Sequence, residues 1–184
     1  MEFMNKINDV NYDKLFVQYI TSKYCGKDTG CTSEYKKYVV DVLIETLLEK
    51  VKSDTKYVKL YATLTKDLCN NFVEQLFKKL LLNNCNKQFV IYSKNQNHKK
   101  SQVICFVGYL GELFISDIIS ENIIMSCYND LYKNYNAMNI DMLINILRIT
   151  FNKLNQSNKA LIKTNIQNDI QNKKYTLREE TLLN

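Results

Sequence analysis

The sequence predicts an all-α fold built from a row of antiparallel helical hairpins. Three observations predict it. The 184 residues contain no Pro and only four Gly, whereas an all-β chain needs many Gly and Pro turns. Apolar residues recur at i, i+3, i+4, i+7 and i+8 through most of the chain, the spacing of one buried helical face. Short polar links separate these stretches so as to give about four hairpins of roughly 40 residues each, a repeat-like period. A hairpin of that size cannot bury its apolar face alone, so neighbours must stack. Periodicity by itself leaves both a repeating solenoid and a non-repeating bundle open.

Taken in order, Met1 to Ile7 is a short lead, and Asn8 is placed to cap a first helix, with Asp9 complementing the helix dipole. That helix carries Tyr12, Leu15, Phe16, Tyr19 and Ile20. Gly26 and Gly30 bracket a polar loop, and Ser33 opens a long helix marked by Tyr35, Tyr38, Val39, Val42, Leu43, Thr46, Leu47 and Val51. Ser53 or Asp54 caps the next, with Tyr57, Leu60, Tyr61, Leu64 and Leu68 on its stripe.

The best-patterned stretch follows, from Phe72 to Lys133. Phe72, Val73, Leu76, Phe77, Leu80 and Leu81 form one helical stripe, and Glu74, Gln75, Lys78 and Lys79 take the other face. A polar link, Asn95 to Lys100, leads to a helix with Val103, Phe106, Val107, Leu110 and Phe114. Ser120 caps another with Ile123, Ile124, Cys127 and Leu131. Asn139 or Asp141 then starts a helix through Leu143, Ile146, Leu147, Thr150 and Leu154. After a turn at Asn155 to Ser157, the last helix, about Asn158 to Asn172, has a thinner stripe of Leu161, Ile162, Ile166 and Ile170. The tail, KKYTLREETLLN, has the pattern to begin one more helix.

Composition excludes several classes. No apolar run approaches the 18 or so residues of a membrane span. The N-terminus, MEFMNKINDVNYDK, lacks an apolar signal-peptide core, so a cytoplasmic location is expected. Of the six Cys, only Cys25 and Cys31 are close in sequence, and His98 is the one His. Reduced, buried thiols are expected rather than a zinc site or a disulfide framework. Formal net charge is +6, nearly all from Lys. Such an excess permits contact with nucleic acid or an acidic protein surface without requiring either. The abundance of Asn and Lys is what an AT-rich genome imposes, as in some protozoa and large DNA viruses.

No nucleophile elbow, P-loop, GxGxxG or HExxH is present, so neither an enzyme nor a cofactor is expected. Gly108 and Gly111 form a GxxG spacing that, inside a helix, serves close packing. Tyr38-x4-Leu43-Ile44 fits the string by which the cap-binding protein 4E captures partners, but all three residues are expected on a core stripe. His98, alone in a Lys-rich link, is expected at the surface.

The run from Phe77 to Cys85, FKKLLLNNC, and GELF at Gly111 to Phe114, followed by IISENIIMSCYNDLYK, resemble the middle domain of eukaryotic translation initiation factor 4G. The N-terminus extends the likeness. Met4-Asn5-Lys6-Ile7-Asn8, then Tyr12, match the family's opening string, with Asn8 in place of the usual Thr and Asp9 in place of the usual Pro. The resemblance spans about residues 4 to 175, so the whole chain, 1–184, is expected to be one domain. It also departs from the family. The link between the second and third hairpins is short, ICFVGY replaces the usual string before GELF, and the chain ends where a fifth hairpin is expected to begin.

The resemblance implies a HEAT-type α-solenoid of four to five hairpins that acts as a non-enzymatic scaffold in translation initiation. It implies a DEAD-box RNA helicase of the initiation factor 4A type as main partner, contacted by Met4, Asn5, Lys6, Ile7 and Tyr12. A cap-binding protein or other initiation factors are further candidates. It gives the cluster Lys78, Lys79, Lys87, Lys94, His98, Lys99 and Lys100 a possible RNA role, centred on Lys78, Lys79, Lys99 and Lys100. Only Phe89 and Tyr92 interleave that cluster as stacking candidates, so RNA is expected to bind through phosphates without sequence preference. The same superfamily also implies alternatives: an mRNA-specific translation adaptor, or a decay or splicing scaffold.

Overall fold

The computed structural model describes residues 33–71, 76–95 and 97–171. Among these residues there are seven α-helices and no strand: α1 (Ser33–Ser53), α2 (Val58–Asn71), α3 (Leu76–Lys94), α4 (Lys100–Ile115), α5 (Glu121–Lys133), α6 (Ala137–Thr150) and α7 (Gln156–Gln171). Short 3-10 turns, Thr55–Tyr57 and Phe151–Lys153, lead into α2 and out of α6. Successive hairpins α1/α2, α3/α4 and α5/α6 stack into a HEAT-like solenoid, and α7 lies against α5. The first helix, its loop and the C-terminal tail expected from the sequence lie outside the described residues.

Helix α4 is the centre of the stack. It packs against α1, α2, α3, α5 and α6, and its side chains are buried nearly all round: Val103, Phe106, Val107, Tyr109, Leu110, Leu113 and Phe114. Buried polar groups here must find partners inside the protein. The Thr65 hydroxyl donates to the Tyr61 carbonyl at 2.7 Å, and the Tyr109 hydroxyl, 2.6 Å from Thr65 Oγ1, therefore donates to Thr65. Burial pushes the Tyr109 phenol well above its ordinary pKa, so it stays a donor. The pair bonds α2 to α4 across the core.

Of the GxxG pair, Gly111 serves the close packing expected of it, whereas a Cβ at Gly108 would make only an ordinary contact, 3.5 Å from Asn145 Nδ2. A Cβ at Gly111 would meet Ile149 Cγ2 at 2.9 Å and Ile149 Cβ at 3.0 Å. The bare backbone thus lets α6 approach α4, and Asn145 Nδ2 donates across the same contact to the Ile104 carbonyl at 3.0 Å.

Helix α4 ends in a Schellman motif. Asp117 takes the left-handed conformation, φ 63°. The Ile118 N–H returns to the Leu113 carbonyl at 2.9 Å, and the Asp117 N–H to that of Phe114 at 3.1 Å. Lys153 completes this end. Its ammonium donates to the Phe114 and Ile115 carbonyls at 2.9 Å each and pairs with the Asp117 carboxylate at 2.6 Å. The hydrogen bond from Lys153 holds the Asp117 carboxyl below its ordinary pKa of 3.8. A depressed carboxylate pKa adds stability that is whole above the unfolded value and lost as pH falls through the folded one. Wild type is therefore expected to melt above Asp117→Asn at pH 7, with the gap closing below about pH 3.8. Asn tolerates the left-handed backbone, so equal melting of the two at pH 7 would show that the pair contributes nothing.

Several expectations are corrected. On α1 the buried stripe is Val40, Ile44, Leu47, Leu48 and Val51, and Tyr38 is 65% exposed. The stripe is turned by about one residue because Tyr38 to Ile44 is apolar on two adjacent faces. Ile123 and Leu161 are also exposed, since Ile124 and Ile162 beside them take the core positions. Neither Asn139 nor Asp141 starts α6. Asn136 caps it, accepting from the Asn139 N–H at 2.9 Å. Asn139 is buried and donates from Nδ2 to the Ser93 and Asn134 carbonyls. Helix α6 stops at Thr150, and Leu154 reaches the core after a 3-10 turn. Helix α7 begins at Gln156, with Asn155 Oδ1 accepting from the Asn158 N–H at 2.9 Å.

Candidate functional site

Met4, Asn5, Lys6, Ile7 and Tyr12 lie outside the described residues. The lysine cluster lies inside them, and the fold divides it. Lys78 and Lys79 stand in the first turn of α3, whereas Lys94, Lys99 and Lys100 gather where α3 gives way to α4. At 1.5 Å per residue the two groups are about 22 Å apart along the helix. The four lysines predicted for RNA thus do not form one patch. Lys100 is further committed to an ion pair with Asp141 at the start of α6. Lys79, Lys87, Lys94 and Lys99 are exposed, and none has an ion pair among the described residues.

Phe89 and Tyr92 do not serve as stacking platforms. Both are buried against the core, and Tyr92 packs edge-on to Phe106 with ring centroids 5.5 Å apart. His98 is not a free surface residue either. It is half-buried, edge-on to Tyr92 at 4.9 Å, and its Nε2 is buried without a hydrogen-bond partner. An aromatic ring six residues upstream, reachable once the link folds back, was the one sequence signal for this placement.

The cap-binding string is split by the fold. Ile44 is fully buried, Leu43 is half-buried, and Tyr38 alone faces solvent. A partner gripping all three would have to draw Ile44 out of the core.

The thiols match the expectation where they are described. Cys85, Cys105 and Cys127 are buried and Cys69 is half-buried, all unbonded to one another. Burial pushes the thiols of Cys85 and Cys127 up to about 12, so neither is a nucleophile at neutral pH. Among the described residues no group of His, Cys, Asp and Glu could hold a metal ion. No described helix is long and apolar enough to cross a membrane.

A polar seam between α5 and α7 was invisible in the sequence. Glu121 Oε1 accepts from the Asn155 N–H at 3.0 Å and from Asn158 Nδ2 at 2.6 Å. Farther along, Asn165 Nδ2 donates to the Tyr128 hydroxyl at 3.1 Å, and Tyr128 stacks on Tyr132 at 5.6 Å. These bonds hold α7, whose apolar anchors are mainly Ile162 and Ile166.

A stack of helical hairpins such as the described residues form defines a helical-repeat protein. The MIF4G domain family matches residues 1–183, and the chain belongs to that family. It is thereby a scaffold of the superfamily that includes initiation factor 4G, whose domains bind RNA and protein partners. Comparison with curated proteins gives no match.

Proposed function

We propose that this chain is a non-enzymatic, cytoplasmic scaffold of translation initiation that binds and stimulates a DEAD-box RNA helicase of the initiation factor 4A type. The observation that carries the reading is the extent of the family match. It starts at residue 1 and so takes in the string Met4, Asn5, Lys6, Ile7 and Tyr12 that the likeness assigns to helicase contact. A rigid array that touches both lobes of a two-lobed ATPase favours one arrangement of them by binding it more tightly. RNA contact is weak and runs through phosphates, with Lys79 and Lys99 exposed and unpaired among the described residues and Lys100 reduced by its bond to Asp141.

The test is a steady-state, RNA-dependent ATPase assay on a purified helicase of that type, with and without the full chain. A coupling of about 1 kcal/mol gives roughly fivefold stimulation, and Met4→Ala with Ile7→Ala should abolish it while circular dichroism stays unchanged. Binding without any change in turnover would replace the activator with a tethering adaptor for particular mRNAs. Capture of a different helicase would favour the decay or splicing scaffold.

A further inference from the structure

The outer face of α3 has a composition that neither the core nor phosphate contact alone accounts for. Its 19 residues include Lys78, Lys79, Lys87 and Lys94 and not one Asp or Glu. Lys79, Lys87 and Lys94 are exposed. Between them two aliphatic side chains stand in solvent, Val90 at 37% and Ile91 at 47% exposure. At about 100° per residue these five positions fall within an arc of roughly 120°. They form one stripe about 22 Å long, from Lys79 to Lys94. The buried stripe of the same helix, Phe77, Leu81, Cys85, Phe89 and Tyr92, is turned to the core.

We propose that this stripe docks an acidic amphipathic helix from a protein partner, its apolar face on Val90 and Ile91 and its carboxylates toward Lys79, Lys87 and Lys94. Two features set the chemistry of the occupant. The lysines have no ion pair among the described residues and the helix itself carries no acid, so the stripe presents positive charge, which steers an acidic partner. Between Lys87 and Lys94 the stripe is aliphatic. RNA could reach the lysines through phosphates, but it has no use for an exposed aliphatic pair, and the only aromatics of α3 past its first turn, Phe89 and Tyr92, point inward and offer its bases no stacking platform. Val90 and Ile91 instead suit the i, i+3, i+4 leucines of a helix laid along a groove or ridge. The length of the stripe matches about 15 helical residues.

The test uses the full chain and a fluorescein-labelled 16-residue helical peptide of Leu and Glu, with Leu at i, i+3, i+4 and i+7. Two comparison probes are the same peptide with every Leu replaced by Ser, and a 20-nucleotide poly(U) RNA. Val90→Ser with Ile91→Ser should weaken the Leu peptide about tenfold or more. Lys87→Glu should weaken it about fivefold at low salt and less at high salt. Lys133→Glu makes the same change of net charge on α5, also at an exposed position, and should leave binding within about twofold. All replaced residues are exposed, and thermal melts confirm that each variant folds. Equal binding of the Leu and Ser peptides would overturn the proposal, as would equal losses for Lys87→Glu and Lys133→Glu. Tighter binding of poly(U) than of the Leu peptide, lost in Lys87→Glu, would make the stripe an RNA surface instead.

Discussion

Phe106→Ala is expected to lower the stability of this chain by about 3–5 kcal/mol. Phe106 is fully buried at the middle of α4, and its ring packs against Tyr92 of α3. Removing it leaves a cavity in the helix that packs against five of the other described helices, so little of the surrounding structure is free to collapse into the space. A domain holds only about 5–15 kcal/mol in all. Solenoid stability is approximately a sum over neighbouring repeats, and this one change weakens the interfaces on both sides of the α3/α4 hairpin. The comparison is Ile170→Ala near the end of α7, where the side chain is only partly buried against the core. Urea unfolding followed by circular dichroism should show a much larger fall in midpoint for Phe106→Ala. Comparable midpoints would mean that α4 is not the centre of the fold.

Gly111→Ala and Gly108→Ala should move stability in opposite directions. Both replace a helical Gly with Ala, which by propensity alone stabilises by up to about 1 kcal/mol. At Gly108 the nearest atom to a new Cβ is Asn145 Nδ2 at 3.5 Å, an ordinary contact. At Gly111 it is Ile149, at 2.9 and 3.0 Å through Cγ2 and Cβ. The Cβ of Ile149 is fixed to its backbone, and a β-branched side chain is stiff at χ1. It has no way to swing clear, and α4 and α6 must part instead. Overpacking of this kind costs about 1–3 kcal/mol, enough to outweigh the helical gain. Thermal melts should place Gly111→Ala below wild type and Gly108→Ala at or above it, with Ile149→Ala restoring part of the loss in the Gly111→Ala background. A Gly111→Ala variant as stable as Gly108→Ala would remove close approach as the reason for the glycine.

Much of this fold was legible because the strongest helical spacing in the chain falls on α3 to α5. Phe77, Leu81, Val103, Phe106, Val107, Leu110, Phe114, Ile124, Cys127 and Leu131 were assigned to the core from spacing, and all are buried. Helix α1 was misread for the opposite reason. Tyr38, Val39, Val40, Val42, Leu43 and Ile44 are apolar on two adjacent faces, and only the position of α3 and α4 selects between them. Leu161 and Ile162 pose the same ambiguity on α7. The start of α6 was missed because Asn134, Asn136 and Asn139 are equally good caps by type, and a contact with Ser93, 46 residues away, decides which one is buried.

The candidate site was less legible. The lysines of α3 and the following link look like one cluster in the sequence, but a helix spreads them along its length, so the cluster becomes a sparse row about 22 Å long from Lys79 to Lys94. Phe89 and Tyr92 looked available between those lysines until the inward stripe claimed them. The aliphatic pair Val90 and Ile91 drew no expectation from the sequence, and became informative only once both proved to face solvent beside exposed lysines.

The bonds made by Lys153 have a consequence for shape. The residue follows the third described hairpin, yet it grips the end of the second at two carbonyls and a carboxylate. Three struts meeting at one ammonium resist pivoting in a way that sliding apolar faces do not. Curvature in a stacked array accumulates from small rotations at each boundary. With helices about 10 Å apart, a turn of about 5° at this joint would carry a helix two places away through roughly 2 Å. Lys153 thus adds a polar restraint on the angle at this one boundary, beside the apolar contacts that set the others among the described hairpins.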